Sequence, residues 1–196
     1  MTNPSKRPMR IGVLALQGAF IEHMDRLHSL KADAVELRCA ADLSAPLDGL
    51  VLPGGESTVQ MKLLRELGMY DGLKALIDSG KPVLGTCAGL ILLASSVEGQ
   101  SALGFGTMPV TVRRNAYGRQ LGSFHTVAPF KGVGDVPMTF IRAPYVTEVG
   151  PGVEVLSKVD GNVVAVKYGN QYGLSFHPEL DNDSAWIYHL VFNLGL

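Results

Sequence analysis

The 196-residue sequence has little cysteine, almost no net charge and no long apolar run, and each shortage removes a class of protein. Two cysteines, Cys39 and Cys87, make a poor disulfide framework for a chain of this size, so reduced thiols are expected. The pair lacks CxxC spacing and the five histidines are scattered, which gives no zinc pattern; neither a metal nor another cofactor is expected. With 17 basic and 18 acidic residues the net charge is -1, and there is no electrostatic footprint for nucleic acid or an anionic membrane. No run approaches the roughly 18 apolar residues of a membrane span. The polar stretch from Met1 to Met9 precedes an apolar segment too short for a signal peptide. A cytoplasmic location is expected, with no nucleic-acid or membrane partner. Internal repeats, low-complexity tracts and long linkers are also missing.

What is present is enough apolar residue, 46% against 18% charged, to bury a large core. Residues 10–196 read as one domain behind a disordered extension, 1–9. Arg10 to Leu16 is a short apolar run ending in Gln17-Gly18, followed by Phe20, Ile21, Met24, Leu27 and Leu30 at helical spacing. Further strands are expected at 34–37, 49–52 and 83–86, with helices over 57–67 (a stripe of Val59, Leu63, Leu64 and Leu67) and 71–79 between them. A short apolar helix, 90–94, follows Cys87-Ala88-Gly89. The strand runs are continuously apolar, as in parallel strands buried on both faces. Alternation of strand and helix implies an α/β fold: a doubly wound, mostly parallel sheet flanked by helices. Beyond Gly104 the texture becomes strand-rich, with short strands at 110–112, 139–142, 153–156, 163–166 and 173–176, and a closing helix at 186–194.

Three motifs can carry chemistry. Cys87 follows a buried strand and opens a helix among small residues, Gly85-Thr86-Cys87-Ala88-Gly89, the pattern of a nucleophile elbow. Helix amides there favour negative charge on the sulfur and offer donors to an oxyanion. Alone, this cysteine reads more readily as a small buried hydrophobe. A thiol nucleophile also needs a base with an orienting partner. His177-Pro178-Glu179 supplies both types, and in extended chain His177 and Glu179 project to the same side, with Pro178 favouring that geometry. Finally, Pro53-Gly54-Gly55-Glu56-Ser57 follows a strand and opens a helix; its glycines let backbone amides approach a bound group. An ordinary strand-to-helix turn with Ser57 as N-cap is the alternative. No Gly-Lys-Ser/Thr follows, which excludes a P-loop. Two clusters, Arg113 to Gln120 and Ile141-Arg142-Ala143-Pro144, hold arginines that either grip a carboxylate or are solvated turns.

Taken together, Gly-Thr-Cys-Ala-Gly, Gly-Gly-Glu-Ser and His-Pro-Glu resemble the class I, triad-type glutamine amidotransferases. More narrowly, six blocks resemble the glutaminase subunits of pyridoxal 5′-phosphate synthase: 14–19 (LALQGA), 53–58 (PGGEST), 85–93 (GTCAGLILL), 114–120 (RNAYGRQ), 140–144 (FIRAP) and 175–180 (SFHPEL). The resemblance implies Cys87 as nucleophile and His177 and Glu179 as base and orienter. It also implies glutamine contacts from Gly55, Glu56, Ser57, Arg114, Ile141 and Arg142, and an oxyanion hole from the amides of Gly54, Gly55 and Ala88. Gln17 would switch that hole on when a partner docks. The implied partner is a separate synthase subunit that takes the ammonia through a protected channel to build pyridoxal 5′-phosphate; a glutaminase serving another ammonia-using synthase is the alternative. Against the family pattern, His125 stands where an acidic residue is usual and Asp181 where a threonine is usual.

Overall fold

The computed structural model describes residues 7–115 and 122–194. The first half alternates strand and helix: β1 (Arg10–Leu14), α1 (Phe20–Ser29), β2 (Asp33–Leu37), β3 (Gly49–Leu52), α2 (Ser57–Glu66), α3 (Tyr70–Asp78), β4 (Val83–Thr86) and α4 (Ala88–Leu93). The second half adds β5 (Ala94–Val97), β6 (Gln100–Ser101), β7 (Met108–Arg113), β8 (Ser123–Phe130), β9 (Gly134–Ile141), β10 (Tyr145–Val149), β11 (Glu154–Val159), β12 (Asn162–Tyr168), β13 (Gln171–Leu174) and α5 (Ala185–Phe192). Of the expected extension, 1–6 lie outside the described residues; Arg7 forms a two-pronged ion pair with Asp48.

The main sheet runs β2-β1-β3-β4-β13-β12-β10-β7-β5-β6, with β11 paired to β12. Its first five strands are parallel, and beyond β13 the pairing is mostly antiparallel. The fold is therefore α/β, a mixed central sheet with helices on both sides. Alternate residues explain the two layers: Ile11, Val13, Val51 and Leu84 join one apolar cluster with Leu27 of α1 and Ile187, Tyr188 and Phe192 of α5. Leu14, Leu50, Leu52 and Val83 join another with Leu64, Leu73 and Leu90 of α2, α3 and α4. Strands sandwiched this way need apolar residues at every position, and β3 and β4 are buried throughout.

Three expectations are corrected. The second strand is not buried on both faces: β2 is the sheet's edge, and Asp33 and Glu36 face solvent. In α1 the inward face is turned from the apolar stripe, so Ile21 is 58% exposed while His23 is fully buried. In α2 the buried residues are Ser57, Gln60, Met61 and Leu64, with Val59 and Leu67 exposed. Polar contacts select both faces: His23 and Gln60 have hydrogen-bond partners inside, which a buried polar group requires.

Candidate active site

Adjacent parallel strands β1, β3, β4 and β13 all end at one edge of the sheet, where an open α/β fold presents its crevice. The residues leaving those ends are Gln17 after β1, Gly54 after β3, Cys87 after β4 and His177 after β13. Leu174 of β13 is in register with Thr86 of β4, and the Cys87 amide donates to the Leu174 carbonyl at 2.7 Å. This one junction brings the cysteine beside the segment that carries the histidine.

Cys87 has φ 49° and ψ -101°, a conformation sparsely populated for residues with a side chain and typical of a nucleophile turn. The turn is possible because the residues two positions to either side are glycines: a β-carbon on Gly89 would stand 1.9 Å from the Leu52 carbonyl oxygen, and one on Gly85 would stand 2.8 Å from the Gly89 backbone. The Cys87 Sγ faces the Ile141 carbonyl oxygen at 3.9 Å. Ala88, the first residue of α4, contributes an amide from the turn whose N–H groups have no partner within the helix.

His177 and Glu179 do meet, but not along an extended strand. β13 stops at Leu174, and Pro178–Leu180 form a 3-10 turn. The turn folds Glu179 back, so its Oε1 accepts from His177 Nδ1 at 2.7 Å, with both residues buried. Burial works against a charged His177, yet hydrogen bonds to Cys87 and Glu179 and the Glu179 charge outweigh it and push the imidazole up to about 10. Burial likewise raises the Glu179 carboxyl, but His23 and His177 more than offset it and hold the group below the usual carboxylate range. An imidazolium paired with a carboxylate is the arrangement that steadies charge on a neighbouring sulfur.

The cavity at this edge measures about 220 Å³, below the roughly 300–1,000 Å³ of pockets for drug-sized ligands and so suited to a small substrate. Its walls include Gln17, Gly54, Gly55, Glu56, Ser57, Cys87, Arg114, Ile141, Arg142 and His177. Every residue expected at the site is thus on the cavity except Ala88 and Glu179, and Glu179 sits behind His177. The arginine cluster divides: Arg114 reaches the cavity, Arg113 pairs instead with Glu98, and 116–120 lie outside the described residues. Ser57 is the first residue of α2, not its N-cap, and its Oγ is buried with no protein partner. Gln17 Oε1 accepts the Glu56 amide at 2.7 Å, and Gly55, at φ 155°, has room only for hydrogen beside that oxygen.

Sequence reading missed Ile91, Asn115 and Pro144 on the cavity wall, and His23 beneath it. The first three carry no chemical signal in the sequence. His23 does carry one, a histidine on the inward face of an apolar helix, but the apolar stripe as read from the sequence placed Ile21 there instead.

Residues 13–193 match the model of the SNO glutamine amidotransferase family. The chain belongs to that family. Relatives in the same family include the pyridoxal 5′-phosphate synthase subunit PdxT of Desulfitobacterium hafniense strain Y51, 60% identical over 89% of this chain and 88% of the relative. PdxT of Methanocorpusculum labreanum is also 60% identical, over 90% of this chain and 93% of the relative. Among solved structures, a glutamine amidotransferase superposes with a TM-score of 0.87 at 40% identity, covering 94% of this chain and 97% of the other. PurLQS of Thermotoga maritima shares the fold at a TM-score of 0.72 and 13% identity, over 96% and 99% of the two chains. Within the described residues no helix is long and apolar enough to cross a membrane.

Proposed function

We propose that this chain is the glutaminase subunit of a pyridoxal 5′-phosphate synthase, hydrolysing L-glutamine to L-glutamate and ammonia. One observation carries the reading: a single small cavity gathers Cys87 and His177 with the Gly54–Ser57 loop and Arg114, Ile141 and Arg142, from five separate stretches of chain. The glutamine amidotransferase family supports glutamine as substrate, and the relatives at 60% identity, named as subunits of pyridoxal 5′-phosphate synthase, support a synthase partner.

In this mechanism Glu179 holds the His177 ring, and His177 carries the proton that Cys87 has given up, leaving the pair as thiolate and imidazolium. The sulfur attacks the side-chain amide carbon of glutamine, and the negative oxygen formed is held by amides of the Gly54-Gly55 loop and Ala88. The carbon–nitrogen bond then breaks, with His177 giving its proton to the departing ammonia. Water, losing a proton to the same imidazole, cleaves the glutamyl thioester, and glutamate leaves with Cys87 restored. Ser57, Arg114 and Arg142 bind the amino-acid end of glutamine, and Gln17 couples the oxyanion loop to the docked synthase through its bond to Glu56. The ammonia passes through a protected channel to the synthase, which consumes it.

The test is ammonia release from glutamine by the chain with and without its synthase partner, comparing Cys87→Ala with the unsubstituted protein. Undiminished release by the alanine variant sinks the nucleophile assignment. Co-purification with an ammonia-using enzyme other than pyridoxal 5′-phosphate synthase would overturn the partner.

A further inference from the structure

His23 is fully buried on α1, where an apolar side chain would fill the space without giving up hydration. Its ring instead bridges three elements. Nδ1 lies 2.8 Å from the Tyr188 hydroxyl of α5; Nε2 lies 3.2 Å from Thr86 Oγ1 and 3.4 Å from Glu179 Oε2. Thr86 is the residue before Cys87, and Glu179 is the partner of His177, so one imidazole touches supports of both proposed reacting groups. His177 occupies Glu179 Oε1, while Oε2 is buried without a full hydrogen bond. The same helix also grips the backbone of the turn: Arg26 donates to the carbonyls of Glu179 at 3.4 Å and Asp181 at 3.0 Å.

We propose that His23 is a positioning residue of the glutaminase reaction: its ring accepts the Tyr188 hydroxyl at Nδ1 and turns Nε2–H toward Thr86 and Glu179, fixing the carboxylate that orients His177. The proposal rests on the reading of Cys87, His177 and Glu179 given above. The tautomer follows from the neighbours. A carboxylate only accepts, so the ring edge facing it must carry hydrogen, and a neutral imidazole has one hydrogen to place. The other edge must then accept, and the Tyr188 hydroxyl is a donor there. Burial lowers His23 from its ordinary range despite the Glu179 charge, and burial raises Tyr188 well above its own, so the ring is neutral and the phenol keeps its proton. The other titratable groups acting on this pair are His177, Glu22 and Arg26.

The test compares His23→Leu, His23→Gln and His23→Asn in the complex with the synthase subunit, reading kcat and KM for L-glutamine. A glutamine amide reaches the place of Nε2, an asparagine amide only that of Nδ1. His23→Leu and His23→Asn should lose roughly ten- to a hundredfold in kcat, the scale of a hydrogen bond to a buried charge, with KM nearly unchanged because His23 is not on the cavity wall. His23→Gln should recover most of the loss. Equal impairment of all three, or a loss confined to KM, would reduce His23 to a packing residue. Glu179→Gln separates the two failures: full turnover there overturns the base-and-orienter reading and this proposal with it, whereas a collapsed Glu179→Gln beside a fully active His23→Leu overturns this proposal alone. Should His23→Leu not fold, ¹⁵N resonances of the His23 ring in the unsubstituted protein decide the matter. Nε2 protonated and Nδ1 bare supports it, and the reverse overturns it.

Discussion

The α-carbon of Gly54 lies against the imidazole of His177, so close that a β-carbon there would stand 2.3 Å from Cε1 and 2.9 Å from Nδ1. The loop thus carries proposed oxyanion amides and also forms the wall that sets where the base can be. Gly54→Ala should push the ring off its position without disturbing the core. Since a displacement of about 1 Å can cost on the order of a hundredfold in rate, glutaminase turnover should fall by that much with an unchanged circular dichroism spectrum. Turnover within twofold or so of the unsubstituted enzyme would mean the ring has another place to go.

Cys87 supports the proposed chemistry at the expense of backbone strain. Because its φ of 49° is one that glycine adopts freely, Cys87→Gly and Cys87→Ala should both be inactive, yet the glycine variant should be the more stable. Relief of strain worth about 1–3 kcal/mol, less the greater entropy of unfolded glycine, leaves about 1 kcal/mol, readable as a shift in denaturant midpoint. An alanine variant as stable as the glycine variant would show that the turn is not strained.

Ser57 offers the opposite case, a buried hydroxyl with nothing to lose. Its Oγ has no protein partner and Ser57 lines the cavity. Ser57→Ala should therefore leave stability within about 0.5 kcal/mol while raising KM for glutamine by roughly tenfold, the scale of one hydrogen bond to a charged group. A lowered melting temperature with KM unchanged would assign Ser57 to the fold.

His177 and Glu179 also predict how stability varies with pH. The folded protein lifts His177 from 6.5 to about 10, so it binds a proton more tightly than the unfolded chain. That contribution is complete below about pH 6.5 and is lost as pH rises through about 10. Glu179 is shifted down from 4.5; its contribution is present above that value and is lost as pH falls through its folded value. Denaturation midpoints measured from pH 6 to 10 should decline for the unsubstituted protein, and the decline should be shallower for His177→Gln. Parallel curves would show that His177 is not held as the cation.

The parallel half of the fold was legible because burial on both faces leaves a continuous apolar signature: Gly49–Leu52 and Val83–Thr86 were read with the bounds they have in the structure. β8 was not read. Its side chains alternate in exposure, Val127 is 61% exposed, and Pro129 lies within it; what makes it a strand is full antiparallel pairing with β9, a partner that local pattern does not reveal. The contact between His177 and Glu179 is legible in the sequence but on the wrong local geometry, since a 3-10 turn can juxtapose residues two apart as an extended strand can. His23 and Gln60 show the deeper limit. Which face of an amphipathic helix turns inward depends on polar partners far away in sequence, Tyr188 and Glu179 for the one and the carbonyl of Gln17 for the other.

The seat of β13 between β4 and β12 has a consequence for the birth of the molecule. The strand that delivers the histidine is inserted beside the strand that delivers the cysteine, although most of a hundred residues separate them in synthesis. While the ribosome is still making the second half, the emerging chain has the Cys87 thiol but neither the His177 imidazole nor the strand that joins β4 to β12. On the proposed mechanism, glutamine hydrolysis has to wait until the last strand docks.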